Sequence, residues 1–393
     1  MTSETWPSVP MSDLVDAFRD RVLPSDLKDQ SLTHYSIPAF DENGSPIVEP
    51  AAALASHKFL VEEDSVLVSM LNPRIPRVWL ARGGPNTVCS TEFAVLRPKP
   101  SGVSLGFLYL LCSEGTFARM LDRRSAGTTG SRRRSKVADV MAYRFSLPPE
   151  PIRERIVRVL GSVDQQVAAL NHEICSLRSV YAGSGSLLWG GQGEDEAAPR
   201  ALGQVMSLDV ERVEMLPDRE YHLAGVLNAG KGLVDKDCFL GAQTEYKSMN
   251  LLRSGKIVMR KLTAWEGPIT VVPDEFDGYV ASNEFPTFSL SGEVCPNWFR
   301  HVCRTPRLWQ EMKNRVTGTV QRRKRLNPDQ LLTVSLPVPR RDLQEKAAQA
   351  MDAIDNTVTG LRAEVDTLRT YRARLLSALL NREIDVADVE GVA

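Results

Sequence analysis

The stretch GTTGSRRRSK at residues 127–136 returns in altered form as GTVQRRKR at residues 318–325. The offset between the two stretches, 318 − 127 = 191 residues, recurs along much of each half of the chain. A nearly equal offset, 282 − 90 = 192, superimposes STEF at residues 90–93 on SNEF at residues 282–285. The sequence therefore predicts a tandem duplication in which each copy is a globular domain followed by a long helix.

Each copy contains a long stretch whose apolar residues recur at alternating steps of four and three, which is the spacing of a coiled coil. The first stretch carries Ile156, Leu160, Val163, Val167, Leu170, Ile174 and Leu177. The second carries Met351, Ile354, Val358, Leu361, Val365 and Leu368. A helix with so narrow an apolar stripe must bury it against another helix. We expect an antiparallel pair within one chain, and the alternative is pairing between two chains.

Short apolar runs bounded by Gly and Pro predict strands in both halves. They are SVLV at residues 65–68, FAVL at 93–96, KIVM at 256–259 and ITVV at 269–272. One helix is predicted to follow in each half, at about residues 105–121 and 296–313, so each half is of the α+β class. Between the copies, the glycine-rich and acidic stretch at residues 183–200 predicts a flexible linker.

A basic cluster follows the predicted helix of each half. Arg and Lys side chains neutralise phosphates, and Arg can bind guanine edges in the major groove. One such cluster is usually only a solvated surface, but two at equivalent places favour contact with DNA. Further candidates lie in loops and at strand ends. The full set of candidate DNA contacts is Lys58, Asn72, Arg74, Arg77, Arg132, Arg133, Arg134, Lys136, Lys231, Arg260, Lys261, Arg322, Arg323, Lys324 and Arg325.

The composition limits the other possibilities. The chain has 393 residues, 42% hydrophobic and 25% charged, which is enough for two ordinary cores. The formal net charge of −1 removes the argument from a generally basic surface, so DNA binding must depend on local clusters. With no long apolar run and no signal-peptide pattern, a cytoplasmic protein without a membrane span is expected. The six cysteines contain no CxxC pair, and no metal site is expected.

Two patterns imitate catalytic motifs. GVLNAGKG at residues 225–232 nearly matches a phosphate-binding loop, but Gly232 stands where a hydroxyl must hold magnesium. Asp218, Glu245 and Lys247 imitate the acidic pattern of metal-dependent nucleases, without a counterpart in the first copy. The histidines form no cluster that suggests a nucleophile or base. We therefore expect no catalytic residues in this chain.

Several segments resemble the specificity subunits of type I restriction-modification systems. In the first copy these are YSIPAFD at residues 35–41, SHKF at 56–59, LNPRIPRVW at 71–79 and STEF at 90–93. In the second they are KLTAWEG at residues 261–267, VASNEFPTF at 280–288 and the loop at 318–325. SLPVP at residues 335–339 and RLLSALL at 374–380 resemble the family's spacer helix. The similarity extends over nearly the whole chain.

The resemblance implies two target-recognition domains separated by two long helices that form an antiparallel coiled coil. The first domain would comprise residues 1–148, the first spacer helix 149–182, the linker 183–200, the second domain 201–339, the second spacer helix 340–384 and the C-terminal tail 385–393. Each domain would recognise one half of an asymmetric, split DNA site through the major groove. The glycine-rich end of the first spacer helix departs from the family pattern and predicts a looser or shorter helix.

The resemblance also implies a non-catalytic subunit that binds double-stranded DNA, modification (methyltransferase) subunits, expected as two copies, and restriction (motor-nuclease) subunits. S-adenosylmethionine, ATP and magnesium would be bound by those partners and not by this chain. Two alternatives stay open from the residues alone. One is a coiled-coil adaptor that binds only protein, and the other is a magnesium-dependent nuclease.

Overall fold

The chain folds into two compact units, and each unit takes residues from both copies of the repeat. The first unit comprises Met1–Asn171 and Ala363–Ala393, and the second comprises His172–Arg362. The computed structural model describes residues 6–27, 30–127, 133–191, 197–317 and 324–386. Three predicted DNA contacts, Arg132, Arg322 and Arg323, lie outside these ranges.

Three sheets form the first unit. Its strands are β1 (Ser8–Pro10), β2 (Val15–Phe18), β3 (Arg21–Val22), β4 (Ser31–Tyr35), β5 (Ile47–Pro50), β6 (Lys58–Leu60), β7 (Ser65–Ser69), β8 (Val78–Ala81), β9 (Thr87–Ser90), β10 (Phe93–Pro98) and β11 (Arg144–Ser146). A two-stranded sheet pairs β1 with β11, a four-stranded sheet has the order β2-β10-β7-β8, and a five-stranded sheet has the order β3-β6-β9-β4-β5.

The second unit repeats this plan. Its strands are β12 (Pro199–Ala201), β13 (Met206–Leu208), β14 (Glu211–Glu214), β15 (Glu220–Val226), β16 (Leu233–Leu240), β17 (Ser248–Leu251), β18 (Ile257–Met259), β19 (Ile269–Val271), β20 (Val280–Ala281), β21 (Thr287–Leu290) and β22 (Ser335–Pro337). The orders β12-β22, β13-β21-β18-β19 and β14-β17-β20-β15-β16 match those of the first unit strand for strand. The predicted duplication and α+β class are therefore confirmed.

Ten helices lie in the described residues. They are α1 (Met11–Leu14), α2 (Ile37–Asn43), α3 (Leu105–Ser113), α4 (Gly115–Arg124), α5 (Val137–Met141), α6 (Glu150–Gly183), α7 (Pro296–Val302), α8 (Pro306–Arg315), α9 (Pro328–Leu332) and α10 (Arg341–Leu380). The single helix predicted after the strands of each half is in fact two helices. Glu114 and Thr305 adopt extended backbone angles, and their side chains accept hydrogen bonds from the first N–H groups of α4 and α8.

The long helices α6 and α10 supply the apolar seam. In the first unit, Ile156 and Leu160 of α6 lie in one cluster with Leu375 and Leu379 of α10. Asp164, further along α6, binds Arg372, which precedes those leucines. The two helix segments of this unit therefore run antiparallel, as the sequence predicts. The remaining predicted seam residues are Val163, Val167, Leu170, Ile174, Leu177, Met351, Ile354, Val358, Leu361, Val365 and Leu368, and all of them are buried or half-buried.

The residues after α6 are more ordered than the sequence suggested. A 3-10 helix occupies Ser184–Trp189, and its Leu188 and Trp189 are buried in the core of the second unit. The first spacer helix was expected to be looser or shorter than the second. It is shorter, with 34 residues in α6 against 40 in α10, but its end is not looser, because the residues that follow it pack in this core. Burial of two large apolar side chains contributes about 3–6 kcal/mol, which outweighs the flexibility of the neighbouring glycines. Residues 184–189 of the predicted flexible linker thus form part of this packed helix, and residues 192–196 of the linker lie outside the described ranges.

Each unit has its own central core. In the first, Phe107, Leu108 and Leu111 of α3 pack on Val66 and Leu96 of the four-stranded sheet. The second core holds the equivalent Trp298, Phe299 and Val302, together with Ile257 and Phe288 of its sheet. In the described part of the chain, no helix is long and apolar enough to cross a membrane.

Candidate nucleic-acid interface

The basic stretch of the first unit returns to the sheet beside the loop that follows β7. The N–H of Asn72 donates to the carbonyl oxygen of Arg133 at 2.8 Å, and the N–H of Ser135 donates to Met70 O at 3.1 Å. Arg134 also pairs with Leu71 in an isolated antiparallel bridge. We call this meeting point, residues 70–77, 90–92 and 133–136, the first basic junction.

Glu92 fixes the end of the basic stretch. The Nε of Arg134 donates to Glu92 Oε2 at 2.9 Å, and its Nη2 donates to Oε1 at 2.6 Å. This hydrogen bonding raises the pKa of the guanidinium. The N–H of Met70 donates to the Glu92 carbonyl at 2.8 Å, so the glutamate joins the post-β7 loop as well. Because Arg134 stays more than half exposed, its cationic surface is open to a phosphate.

The second unit builds the same junction from residues 260–267, 282–284 and 324–326. The N–H of Thr263 donates to Lys324 O at 3.1 Å, and the N–H of Leu326 donates to Lys261 O at 3.0 Å. Arg325 forms the bridge to Leu262, at the offset 325 − 134 = 191. Thr263 has φ +55° and its counterpart Asn72 has φ +49°, so both units hold a non-glycine residue in the left-handed region. We call this the second basic junction.

The two junctions differ in their side chains. In the second junction Arg325 lies 3.4 Å from Glu284 and Lys261 lies 3.9 Å from it, so two cations share one carboxylate. Trp265 stands where the first junction has Arg74, at the offset 265 − 74 = 191. Three buried polar atoms of this junction have no hydrogen-bond partner among the described residues. They are Trp265 Nε1, Asn283 Oδ1 and Glu284 Oε2. Such groups are costly to leave unpaired in the protein interior.

Some predicted contacts are exposed and available. Arg74, Arg134 and Lys136 are exposed in the first unit, and Lys231 and Arg325 are exposed in the second. Arg74, Lys136 and Lys231 have no ion pair with any residue in the described ranges. The predicted contacts Asn72, Arg133, Arg260, Lys261 and Lys324 are half-buried.

Two predicted contacts of the first unit are occupied internally. Arg77 is 8% exposed and binds both carboxylate oxygens of Asp41, at 2.6 and 2.8 Å. The same hydrogen bonds lower the pKa of Asp41. Lys58 is 5% exposed and donates to Ser56 O and Oγ, and burial lowers its pKa. These two side chains hold neighbouring loops in place.

Two half-buried cations also bind within the protein. Arg260 donates through Nη2 to Asn228 Oδ1 at 2.7 Å and to Thr263 Oγ1 at 2.8 Å, and it lies 3.3 Å from Glu266. Arg133 donates to the carbonyl oxygens of Asp122 and Ser125. No sequence pattern indicated these pairings, although the repeated Ser-x-Glu at residues 90–92 and 282–284 could have indicated the two anchoring glutamates.

The two sequence patterns that imitate catalytic motifs do not form catalytic sites in the described residues. Residues 225–232 comprise the end of β15 and the turn that leads to β16, so a strand follows them and not the helix that a phosphate-binding loop requires. Asp218, Glu245 and Lys247 are exposed side chains, the first on the turn before β15 and the other two on the loop before β17. Among the residues that the structure describes, no three His, Cys, Asp or Glu side chains are grouped as a metal site.

Comparison with solved structures identifies the architecture. One similar structure is the type I restriction-modification system S subunit from M. genitalium, at 14% identity and a TM-score of 0.57, with 97% of each chain covered. Another is a chain from work on complex assembly and conformational transition of the type I R-M system, at 14% identity and a TM-score of 0.55, with 96% of this chain and 98% of that chain covered. No protein-family model and no curated protein matches the sequence. The chain has the fold of a type I restriction-modification S subunit.

Proposed function

We propose that this chain is the non-catalytic, sequence-specific DNA-binding subunit of a type I restriction-modification complex. The observation that carries the proposal is the pair of basic junctions, which share a backbone and differ in the side chains they present. Equal backbones position two surfaces in the same way on a double helix, and different side chains select different bases. Each unit would then recognise one part of a split, asymmetric site.

The exposed side chains of the two junctions would have different roles in DNA binding. Arg134 and Arg325, each held by a glutamate, would contact phosphates and fix the register of the protein on DNA. Arg74 and Trp265 occupy equivalent places on the post-β7 and post-β18 loops, where a guanidinium and an indole offer different contacts to a base pair. Arg77, Lys58 and Arg260 would act by positioning these loops.

The same proposal includes partners that supply the chemistry. Modification subunits, as two copies, would bind S-adenosylmethionine and methylate the site, and restriction subunits would use ATP and magnesium. The similarity to a chain of the type I R-M system, for which complex assembly has been described, supports such partners. The alternative is an adaptor that binds protein alone.

Methylation mapping tests the proposal directly. A host that expresses the partner methyltransferase is compared with and without this chain by long-read sequencing. We expect a split, asymmetric methylated motif only when the chain is present. Identical methylation patterns would reject the proposal and favour the adaptor.

A binding experiment separates the two hypotheses in the purified protein. Replacement of Arg322, Arg323, Lys324 and Arg325 by Ala removes four cations from the second unit. A DNA-binding subunit should bind more weakly and show a shallower salt dependence, by up to about 0.9 in the logarithmic slope for each phosphate that is no longer neutralised. The adaptor hypothesis predicts unchanged and weak DNA binding. A matched control replaces four exposed cations elsewhere on the chain, Arg340, Arg341, Lys346 and Arg369.

A further inference from the structure

Each compact unit is completed by a helix segment from the other copy of the repeat. In the first unit this segment is residues 363–380 of α10, and in the second it is residues 172–183 of α6. We call them the tail segments, and we call the globular part that each one packs on its receiving domain. The tail segments are equivalent in the repeat, because Arg372 and Tyr181 are 372 − 181 = 191 residues apart.

In the first unit the tail segment carries the cation and the receiving domain carries the aromatic ring. Arg372 has a side chain only 12% exposed, and its Nη2 donates to Asp164 Oδ2 at 2.8 Å while its Nε donates to the other carboxylate oxygen. The guanidinium carbon lies 5.7 Å from the ring centroid of Tyr109 on α3. The cation is thus held between a carboxylate and an aromatic face.

In the second unit the polarity is reversed. The tail segment carries the ring of Tyr181, and the guanidinium carbon of Arg304 from the receiving domain lies 4.3 Å from its centroid. Arg304 binds Asp355, which is the repeat counterpart of Asp164 at the offset of 191. The acid is therefore kept in both units, while the cation and the ring have exchanged places.

A buried network surrounds Tyr181. Its hydroxyl lies 2.8 Å from Nδ1 of His301, a side chain with no solvent exposure. Nε2 of His301 lies 2.7 Å from Asp352, which also binds Arg300. Arg300 is the repeat counterpart of Tyr109, so the receiving domain of the second unit presents cations where that of the first presents an aromatic ring.

We infer that this reversed polarity makes each receiving domain selective for the tail segment of the other copy, and so prevents two molecules of the chain from pairing like with like. If the first receiving domain took residues 172–183 of a second molecule, Tyr181 would face Tyr109 and Asp164 would lose its cation. If the second receiving domain took residues 363–380, Arg372 would meet Arg300 and Arg304. In the first exchange Asp164 would be left without its cation. In the second, a third cation would lie beside two arginines that Asp352 and Asp355 already neutralise. Both arrangements disfavour the exchange.

The test uses the full chain with a protease site placed in residues 192–196, between the copies. The purified protein is cleaved, unfolded in urea, refolded by dilution and analysed by native mass spectrometry. We expect the two fragments to reassemble only as a one-to-one heterodimer. A statistical mixture of heterodimers and both homodimers would overturn the inference.

A single substitution should reverse the preference. Tyr181→Arg gives the N-terminal fragment a tail that matches its own Tyr109 and Asp164, and it places a further cation against Arg300 and Arg304. We expect the ratio of N-terminal homodimer to heterodimer to rise by roughly 100-fold or more. The matched control is Val180→Arg, which adds the same charge at the adjacent position, where the side chain is 53% exposed. It should leave the heterodimer unchanged, and equal behaviour of the two variants would refute the selectivity.

A reciprocal variant covers the case in which the N-terminal substitution fails to fold. Arg372→Tyr gives the C-terminal fragment a tail that matches its own receiving domain, so homodimers of the C-terminal fragment should now form. Tyr371→Phe is the control, because Tyr371 is half exposed and lies beside Arg372. The absence of C-terminal homodimers from a folded Arg372→Tyr protein would also contradict the inference.

Discussion

The two units differ most in the connection that leads into the edge strand of the five-stranded sheet. In the first unit helix α2 joins β4 to β5, and Asp41 of this helix binds Arg77 of the basic junction. In the second unit a glycine-rich turn at residues 227–232 joins β15 to β16, and its Ala229 and Gly230 donate backbone hydrogen bonds to Glu266 and Gly267. The sheets keep one strand order while the loops around the junctions change, so the same framework presents two different surfaces.

The largest expected change in unfolding free energy comes from substitutions at equivalent positions in the two cores. Phe107 and Trp298 are 0% and 1% exposed, and each fills the centre of its unit. Replacement of either by Ala should cost about 3–5 kcal/mol of unfolding free energy. Trp298→Ala should cost about 1 kcal/mol more, because its Nε1 donates to the buried carbonyl of Leu188 at 2.9 Å.

Urea denaturation followed by circular dichroism measures both variants. Ile269→Val, a smaller deletion in the same second core, serves as the control, and it should cost only about 0.5–1.5 kcal/mol. If Phe107→Ala proved the more destabilising of the two aromatic variants, the hydrogen bond from Trp298 to Leu188 would not contribute the stability expected of it.

A smaller effect is expected where the units differ in backbone conformation. Gly267 has φ +68°, and a Cβ on this residue would lie 2.4 Å from Cδ1 of Trp309. Trp309 cannot move freely, because its Nε1 donates to Cys303 O at 2.7 Å. Gly267→Ala should therefore cost about 2–4 kcal/mol from left-handed strain and overpacking.

Pro76 is the repeat counterpart of Gly267, at 267 − 76 = 191, and it is exposed. Pro76→Ala should change the unfolding free energy by no more than about 1 kcal/mol. Thermal unfolding of the wild type and both variants measures these losses of stability. Equal losses of stability would show that the loops after β7 and β18 are held in the same way, contrary to their contacts.

The regular parts of this structure were predictable because their signals are local. The steps of four and three that mark α6 and α10 lie within single helices, and the strand runs such as residues 65–68 lie within β7. The division of the predicted helix into α3 and α4 was missed, since it depends on one side-chain cap at Glu114. Such a cap competes with a continuous apolar pattern that favours one helix.

The contacts that define the candidate site were less predictable, because they join distant residues. Arg77 looked like a free cation in the sequence, but its partner Asp41 is 36 residues away. Arg372 and Asp164 are separated by 208 residues. Ion pairs of this kind follow from the tertiary fold, so a cation that contacts nucleic acid and one that holds a loop look alike in sequence. The roles of the individual candidate contacts stay predictions.

An effect of pH should distinguish the second unit from the first. Burial lowers the pKa of His301 below its ordinary value of 6.5, despite the opposing hydrogen bond to Asp352. Unfolding then takes up protons, so the stability that depends on neutral His301 is present above pH 6.5 and is lost as the pH falls from 6.5 towards the lowered pKa of the folded state. Leu110 occupies the equivalent position in the first unit and cannot titrate.

His301→Leu should therefore flatten the dependence of the urea midpoint on pH between about 5 and 7. The variant will also be less stable at neutral pH, because Tyr181 and Asp352 lose a partner. The comparison is thus between slopes and not between midpoints. His34, whose pKa burial also lowers, is present in both proteins, so its contribution cancels. Identical slopes would show that His301 does not contribute to the pH dependence.

The smallest expected effect on stability comes from replacing the two arginines that pair with glutamates in the basic junctions, Arg134 and Arg325. Arg134 and Arg325 have side chains 55% and 53% exposed, so each ion pair should contribute only about 0–1 kcal/mol to folding. In DNA binding the variants Arg134→Ala and Arg325→Ala should each reduce the logarithmic salt slope by about 1 and weaken binding to all sequences alike. Fluorescence anisotropy over a series of salt concentrations measures both slopes.

The acids beside these arginines should make the two variants unequal in affinity. Arg134 binds Glu92 through two nitrogens, whereas Arg325 shares Glu284 with Lys261. Lys261 can therefore still neutralise Glu284 in Arg325→Ala, while Arg134→Ala leaves Glu92 without its cation at the proposed DNA surface. Arg134→Ala should then weaken DNA binding more than Arg325→Ala does. Equal affinities for the two variants would mean that the neighbouring acids do not affect binding.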